Sequence, residues 1–97
     1  MPTYVVLLNF TDEGIKTVKE TIQRADHAVE RAQQQGGSLQ QLYWTLGAYD
    51  LVGILEAPDD ETATAYLLDV GTRGAVRTTT LRAYDREEMS GIIQRLG

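Results

Sequence analysis

Hydrophobic and polar positions alternate along this chain with two distinct periods. Tyr4-Val5-Val6-Leu7-Leu8 is uninterrupted by any polar residue, and Phe10 follows Asn9. The run is short, β-branched and aromatic, and apolar on both parities, so it reads as a central strand buried on both faces. Thr11 or Asp12 then offers an N-cap, with acidic residues suited to the positive end of a helix dipole. From there Ile15, Val18, Ile22, Ala25, Val29 and Ala32 are spaced by threes and fours. That spacing draws one stripe along a helix from about Asp12 to Gln35, with a bend near Thr21. Gly36-Gly37 stops it, because glycine takes the left-handed C-cap conformation without a Cβ penalty.

The second half repeats the two periods. Leu39 to Leu46 is a second strand, Gly47-Ala48 a tight turn, and a third strand runs from Tyr49 or Asp50 to Leu55. Strands this close in sequence form an antiparallel hairpin. Pro58-Asp59-Asp60-Glu61 starts a helix with Asp59 as its N-cap; Ala63, Leu67 and Val70 form its stripe, with Tyr66 beside it, and Gly71 ends it. A fourth strand spans Ala75 to Tyr84, where Thr78-Thr79-Thr80 favours extended backbone. Asp85-Arg86-Glu87-Glu88 begins a short terminal helix whose apolar side is Met89, Ile92, Ile93 and Leu96.

The order β-α-β-β-α-β plus a terminal helix places the chain in the α+β class. Right-handed crossovers and short connections favour the ferredoxin-like arrangement, an antiparallel sheet of order 4-1-3-2 with both long helices on one face. The other sheet face should then be polar, and it is not. Whichever parity of Tyr4–Phe10, Leu39–Leu46 and Leu51–Leu55 meets the helices, the opposite parity leaves several large apolar groups. A monomer rarely exposes so much contiguous apolar surface. The expectation is a homodimer packed sheet to sheet, of the dimeric α/β-barrel type.

Composition narrows the chemistry. The 97 residues make one domain, 1–97, since two halves would each be too small to hold a core. Nine Lys and Arg against fourteen Asp and Glu give a net charge of −5, which argues against nucleic acid or an anionic membrane as partner. Cysteine is absent and histidine occurs once, so neither a thiol nucleophile nor a Cys or His-rich metal centre is expected, and no cofactor fingerprint occurs. No stretch has the form of an export signal or of a membrane span of about 20 apolar residues, which makes the cytoplasm the expected location.

Strand directions gather the polar candidates at one end of the sheet, where the first strand ends, the hairpin turns and the fourth strand begins. Asn9, Thr11, Asp12, Thr45, Tyr49, Asp50, Arg73 and Arg77 meet there beside Tyr43 and Trp44. Asn9, Trp44, Thr45, Tyr49, Asp50 and Arg77 are therefore the candidate ligand-binding residues, an aromatic wall beside an Arg and an Asp. The plainer reading makes Asp50 a brace for the turn and pairs the arginines with carboxylates. His27 lies off the helical stripe and reads as a solvated side chain. Asp59-Asp60-Glu61 is explained by the helix dipole, Gly71-Thr72-Arg73-Gly74 lacks the spacing and Lys of a phosphate loop, and neither Ser38 nor Ser90 lies in a nucleophile turn. No residue is assigned a catalytic or metal-binding role.

Four segments together resemble the GYD-domain family: Asn9-Phe10-Thr11, Tyr43-Trp44-Thr45-Leu46-Gly47-Ala48-Tyr49-Asp50, Ala57-Pro58-Asp59-Asp60-Glu61-Thr62, and Val76 to Ala83. The eponymous Gly-Tyr-Asp is opened by one residue, since Ala48 separates Gly47 from Tyr49-Asp50. The resemblance implies a small bacterial protein, similar to ferredoxin-like dimeric α/β barrels, in a family without an established activity. It points to Tyr49, Asp50, Trp44 and Thr45. Two functions follow from the residues and the resemblance together. One is a non-catalytic small-molecule-binding or regulatory module. The other is a cofactor-independent oxygenase or isomerase, which would need a closed cavity holding convergent polar groups.

Overall fold

The computed structural model describes residues 1–97. Strand β1 (Thr3–Phe10) leads into a short helix α1 (Asp12–Lys16), one 3-10 turn at Val18–Glu20, and helix α2 (Thr21–Gln34). Strands β2 (Ser38–Trp44) and β3 (Leu51–Glu56), helix α3 (Asp60–Thr72), strand β4 (Val76–Ala83) and helix α4 (Arg86–Gln94) complete the chain. The sheet is antiparallel throughout, in the order β2-β3-β1-β4, which is the expected 4-1-3-2 order counted from the other edge. The chain is thus a small α+β fold of ferredoxin-like topology.

Period-two alternation decides what each strand buries. Tyr4, Val6, Leu8 and Phe10 of β1 stand opposite Leu55, Gly53 and Leu51 on one side and Arg82, Thr80, Thr78 and Val76 on the other. This is the face beneath the helices, and its core joins Tyr4, Val6 and Leu55 to Ala32 of α2, Ala57, and Ala63 and Tyr66 of α3. Two tyrosine hydroxyls tie helices into that layer. Tyr4 donates to Asp60 at 2.5 Å, and Tyr66 donates to the Ala28 carbonyl at 2.8 Å, joining α3 to α2. Burial first, then the Asp60 carboxylate, pushes the Tyr4 phenol up to about 12. Burial first, then Asp69, does the same to Tyr66.

The helix ends follow their capping residues. Asp59 accepts from Thr62 N at 2.7 Å, and Asp85 and Glu88 form a reciprocal capping box. The single long helix expected from Asp12 to Gln35 is instead broken in two. Gly14 lies so close to β4 that a Cβ there would fall 1.9 Å from the Ala75 carbonyl oxygen. Thr11 holds the same junction: its N–H donates to Ala75 O at 3.0 Å and its hydroxyl to Gly74 O at 2.5 Å. With α1 pinned there, a 3-10 turn at Val18–Glu20 intervenes before the helix restarts at Thr21. Ile15, Val18 and Ile22, expected on the buried stripe, are exposed, Ile22 by 59%. The β2–β3 connection is also longer than a tight turn, since β2 ends at Trp44 and Leu46 is fully exposed.

Only 11 of 97 residues are buried. The radius of gyration is 14.6 Å, against about 12.5 Å for a compact chain of this length. The excess reflects α4, which packs extensively on no other element and leaves Met89, Ile93 and Leu96 exposed.

Candidate functional site

The polar end of the sheet is built around the β2–β3 loop. Thr45 N donates to the Asp50 carbonyl at 2.8 Å, and Asp50 N to the Leu8 carbonyl at 2.8 Å. The Asp50 carboxylate accepts from Phe10 N at 2.8 Å, and the Thr45 hydroxyl donates to Tyr49 O at 2.7 Å. The Asn9 amide, in the orientation that satisfies its neighbours, donates to the Ala48 and Leu8 carbonyls at 3.1 and 3.2 Å. Asp50 therefore braces the loop against the end of β1, and Thr45, Tyr49 and Asn9 belong to the same brace.

Trp44 and Arg77 are not part of it. Trp44 pairs with Leu51 in the ladder, on the helix side, and its indole N–H reaches Thr21 Oγ1 of α2 at 3.0 Å. Its neighbour Tyr43 pairs with Val52 and points to the opposite face. Arg77 stands opposite Asn9 on the edge strand β4, and its guanidinium extends to within 3.6 Å of where a Cβ on Gly71 would lie. The six candidates thus share one end of the sheet but divide between its faces and its edge.

A second feature lies between α2, α3 and the sheet. It is a cleft of about 170 Å³, floored by Val6, Leu8, Phe10, Leu51 and Gly53 and walled by apolar side chains of both helices. Arg24, His27 and Arg31 of α2 and Arg73 beyond α3 also line it, with no acidic residue among the lining groups. Asp69 lies just outside them. It accepts from Arg31 Nε at 2.6 Å and lies 3.6 Å from Arg73. The Arg31 guanidinium holds the Asp69 carboxyl below the usual carboxylate range, and Arg31 is raised in return. Arg24 donates to the Thr17 carbonyl at 2.5 Å and has Glu20 only at 3.8 Å. The cleft is open at its mouth, and its charged groups stand around that mouth rather than converging in its floor. Sequence reasoning missed it because α2, α3 and all four strands contribute to it, and its arginines look like an ordinary solvated helix face.

The family model of the GYD domain matches residues 4–93, nearly the whole of the sheet and helices just described. The chain belongs to the GYD-domain family. A relative from Thermus thermophilus, named glutamine synthetase and cystathionine beta-lyase binding protein, is 34% identical over 84 residues, covering 86% of this chain and 88% of the relative. The crystal structure of TTHA0845, also from Thermus thermophilus, superposes with a TM-score of 0.55 at 25% identity, over 89% of this chain and all of that one. In this GYD domain the Gly47-Ala48-Tyr49-Asp50 segment lies in the connection between β2 and β3. Gly47 holds φ +131°, a backbone that side-chain-bearing residues rarely adopt, and Tyr49-Asp50 follow it into the brace. No helix is long and apolar enough to cross a membrane.

Proposed function

We propose that this GYD domain is a non-catalytic binding module of the cytoplasm that self-associates through its open sheet face and docks on other proteins. One observation carries the reading. Val5 and Leu7 of β1, Val52 and Ile54 of β3, Leu81 of β4 and Tyr43 of β2 form a continuous apolar face, half-buried at its centre and exposed at its edges, on the side of the sheet away from the core helices. Leu81 is 51% and Tyr43 59% exposed. Four strands about 4.8 Å apart and β1, eight residues long, give this face a projected area on the order of 500 Å². That lies at the upper end of the largest patch found on a typical monomer, a size that is often functional, and is somewhat over half the roughly 800 Å² that each partner buries in a standard interface. The projecting α4, with its exposed Met89 and Ile93, supplies further apolar area.

The relative's name supports a protein-binding role. By that likeness, enzymes such as glutamine synthetase and cystathionine beta-lyase are the partners to try. The oxygenase or isomerase alternative draws less support. The charged groups lining the cleft between sheet and helices are all bases, with no carboxylate among them to act as a general base, and they stand at its mouth.

Light scattering of the purified protein at micromolar concentration tests self-association. The expected result is a dimer or larger for the native chain and a folded monomer for Ile54→Lys. A native monomer overturns that half of the reading. Surface plasmon resonance against purified glutamine synthetase and cystathionine beta-lyase of the same organism tests the other half, with saturable binding of at least one enzyme expected. No response from either at tens of micromolar would remove the protein-binding role.

A further inference from the structure

The cleft between α2 and α3 lies on the opposite side of the sheet from the association face, and no protein partner is needed to give it a role. Its volume of about 170 Å³ compares with the ~150 Å³ apolar cavity that stays dry and takes up a benzene ring. It therefore fits an apolar body of about six to nine carbons. The floor is low because Gly53 carries no side chain. A Cβ there would press on Leu39 and Leu42 methyls at 3.2 and 3.3 Å.

Charge selects the other half of the ligand. The chain as a whole is at −5, yet every ionisable group lining the cleft is a base, apart from the Tyr66 phenol. Asp69 is one carboxylate shared between two guanidiniums, at 2.6 Å from Arg31 and 3.6 Å from Arg73. One positive charge at the mouth is thus left unbalanced. Arg73 is more than half exposed, and its planar fork suits a carboxylate. Arg24 lines the same cleft, held by the Thr17 carbonyl and hydroxyl, with Glu20 at 3.8 Å as its nearest carboxylate. A single surplus charge matches a monoanion better than a phosphate dianion.

We infer that this cleft binds a small carboxylic acid, its apolar body between the helices and its carboxylate at Arg73. The inference is independent of the protein-binding reading, since it uses neither the open face nor α4.

Octanoate, 1-octanol and acetate are titrated into the whole protein while methyl resonances of Leu8, Leu51, Leu67 and Val70 are followed by carbon–proton correlation spectra. Octanoate is expected to shift these methyls saturably, at least tenfold more tightly than octanol, and acetate is expected to leave them unmoved. Arg73→Gln should weaken octanoate about tenfold and leave octanol unchanged. Ala25→Phe fills the cleft and should abolish binding. If that variant fails to fold, Arg73→Gln, at an exposed site, carries the test alone. Equal affinity for octanoate and octanol overturns the inference. So does a shift pattern confined to Leu7, Val52 and Ile54 of the open face, or no shift of the cleft methyls at millimolar octanoate.

Discussion

Replacing Gly14 by alanine should destabilise this domain, although alanine is the better helix former by about 1 kcal/mol. Gly14 sits inside α1, so propensity alone forecasts a gain. The structure reverses the sign. The added Cβ would lie 1.9 Å from Ala75 O, 2.8 Å from its carbonyl carbon and 3.1 Å from its Cα, all backbone atoms that cannot swing aside. Relief requires α1 to move off the start of β4. That movement breaks the bonds of Thr11 N to Ala75 O and of the Thr11 hydroxyl to Gly74 O. Overpacking of this kind costs roughly 1–3 kcal/mol, and each lost hydrogen bond about 1 kcal/mol. Set against the propensity gain, the net loss is about 2–4 kcal/mol, or a fall in Tm of roughly 8–32 °C for a domain of this size. Gly91 in α4 supplies the control, since a Cβ there meets nothing within 4 Å. Gly91→Ala should raise Tm slightly. Thermal unfolding followed by circular dichroism compares the two. A Gly14→Ala protein as stable as the native one would refute the view that this contact breaks the first helix.

Two further outcomes follow from the tyrosines and from Asp50. Both buried phenols have folded values raised from 10.0 to about 12, so their contribution to stability is complete below pH 10 and is lost as the pH rises from 10 through 12. Between pH 9 and pH 11, urea unfolding should show a loss of stability about 1.4 kcal/mol smaller in Tyr66→Phe than in the native protein, that residue's share of the linkage; an unchanged alkaline slope would count against burial of Tyr66. Asp50→Ala strips the acceptor from Phe10 N and should cost about 1–3 kcal/mol, measured by the urea midpoint, with Asp50→Asn recovering part of it. A neutral Asp50→Ala would remove the bracing role.

Strand parity and helix caps were legible in the residues because each is a local matter. Asp59 and Asp85 cap the helices they precede, and the two apolar parities of Tyr4–Phe10 do divide between a helix-covered face and an open one. The break after α1 was not legible. The three-four spacing runs on through Ile15, Val18 and Ile22, while the contact that interrupts it joins Gly14 to Ala75, some sixty residues away. The candidate site was legible only to the level of the sheet end. Neighbouring residues in a strand point oppositely, so Tyr43 and Trp44 cannot form one wall, and Trp44 instead ties β2 to Thr21.

That division of the sheet into two faces accounts for how a chain of 97 residues with so few buried groups could carry two separable roles. The helix-covered face is incompletely filled, because Ala25, Ala28 and Gly53 are small where α2 and α3 part. The uncovered face is continuous and apolar, because Val5, Leu7, Val52 and Ile54 lie on adjacent strands in register. β1 contributes to both through alternate residues. On the proposed reading a change at Leu7 acts on association, while a change at Leu8 acts on the cleft, although the two are neighbours in the chain. Leu7→Glu should yield a monomer that still takes up octanoate, whereas Leu8→Phe should narrow the cleft and leave the assembly intact. A Leu7→Glu monomer unable to bind octanoate would show that the two faces do not act separately.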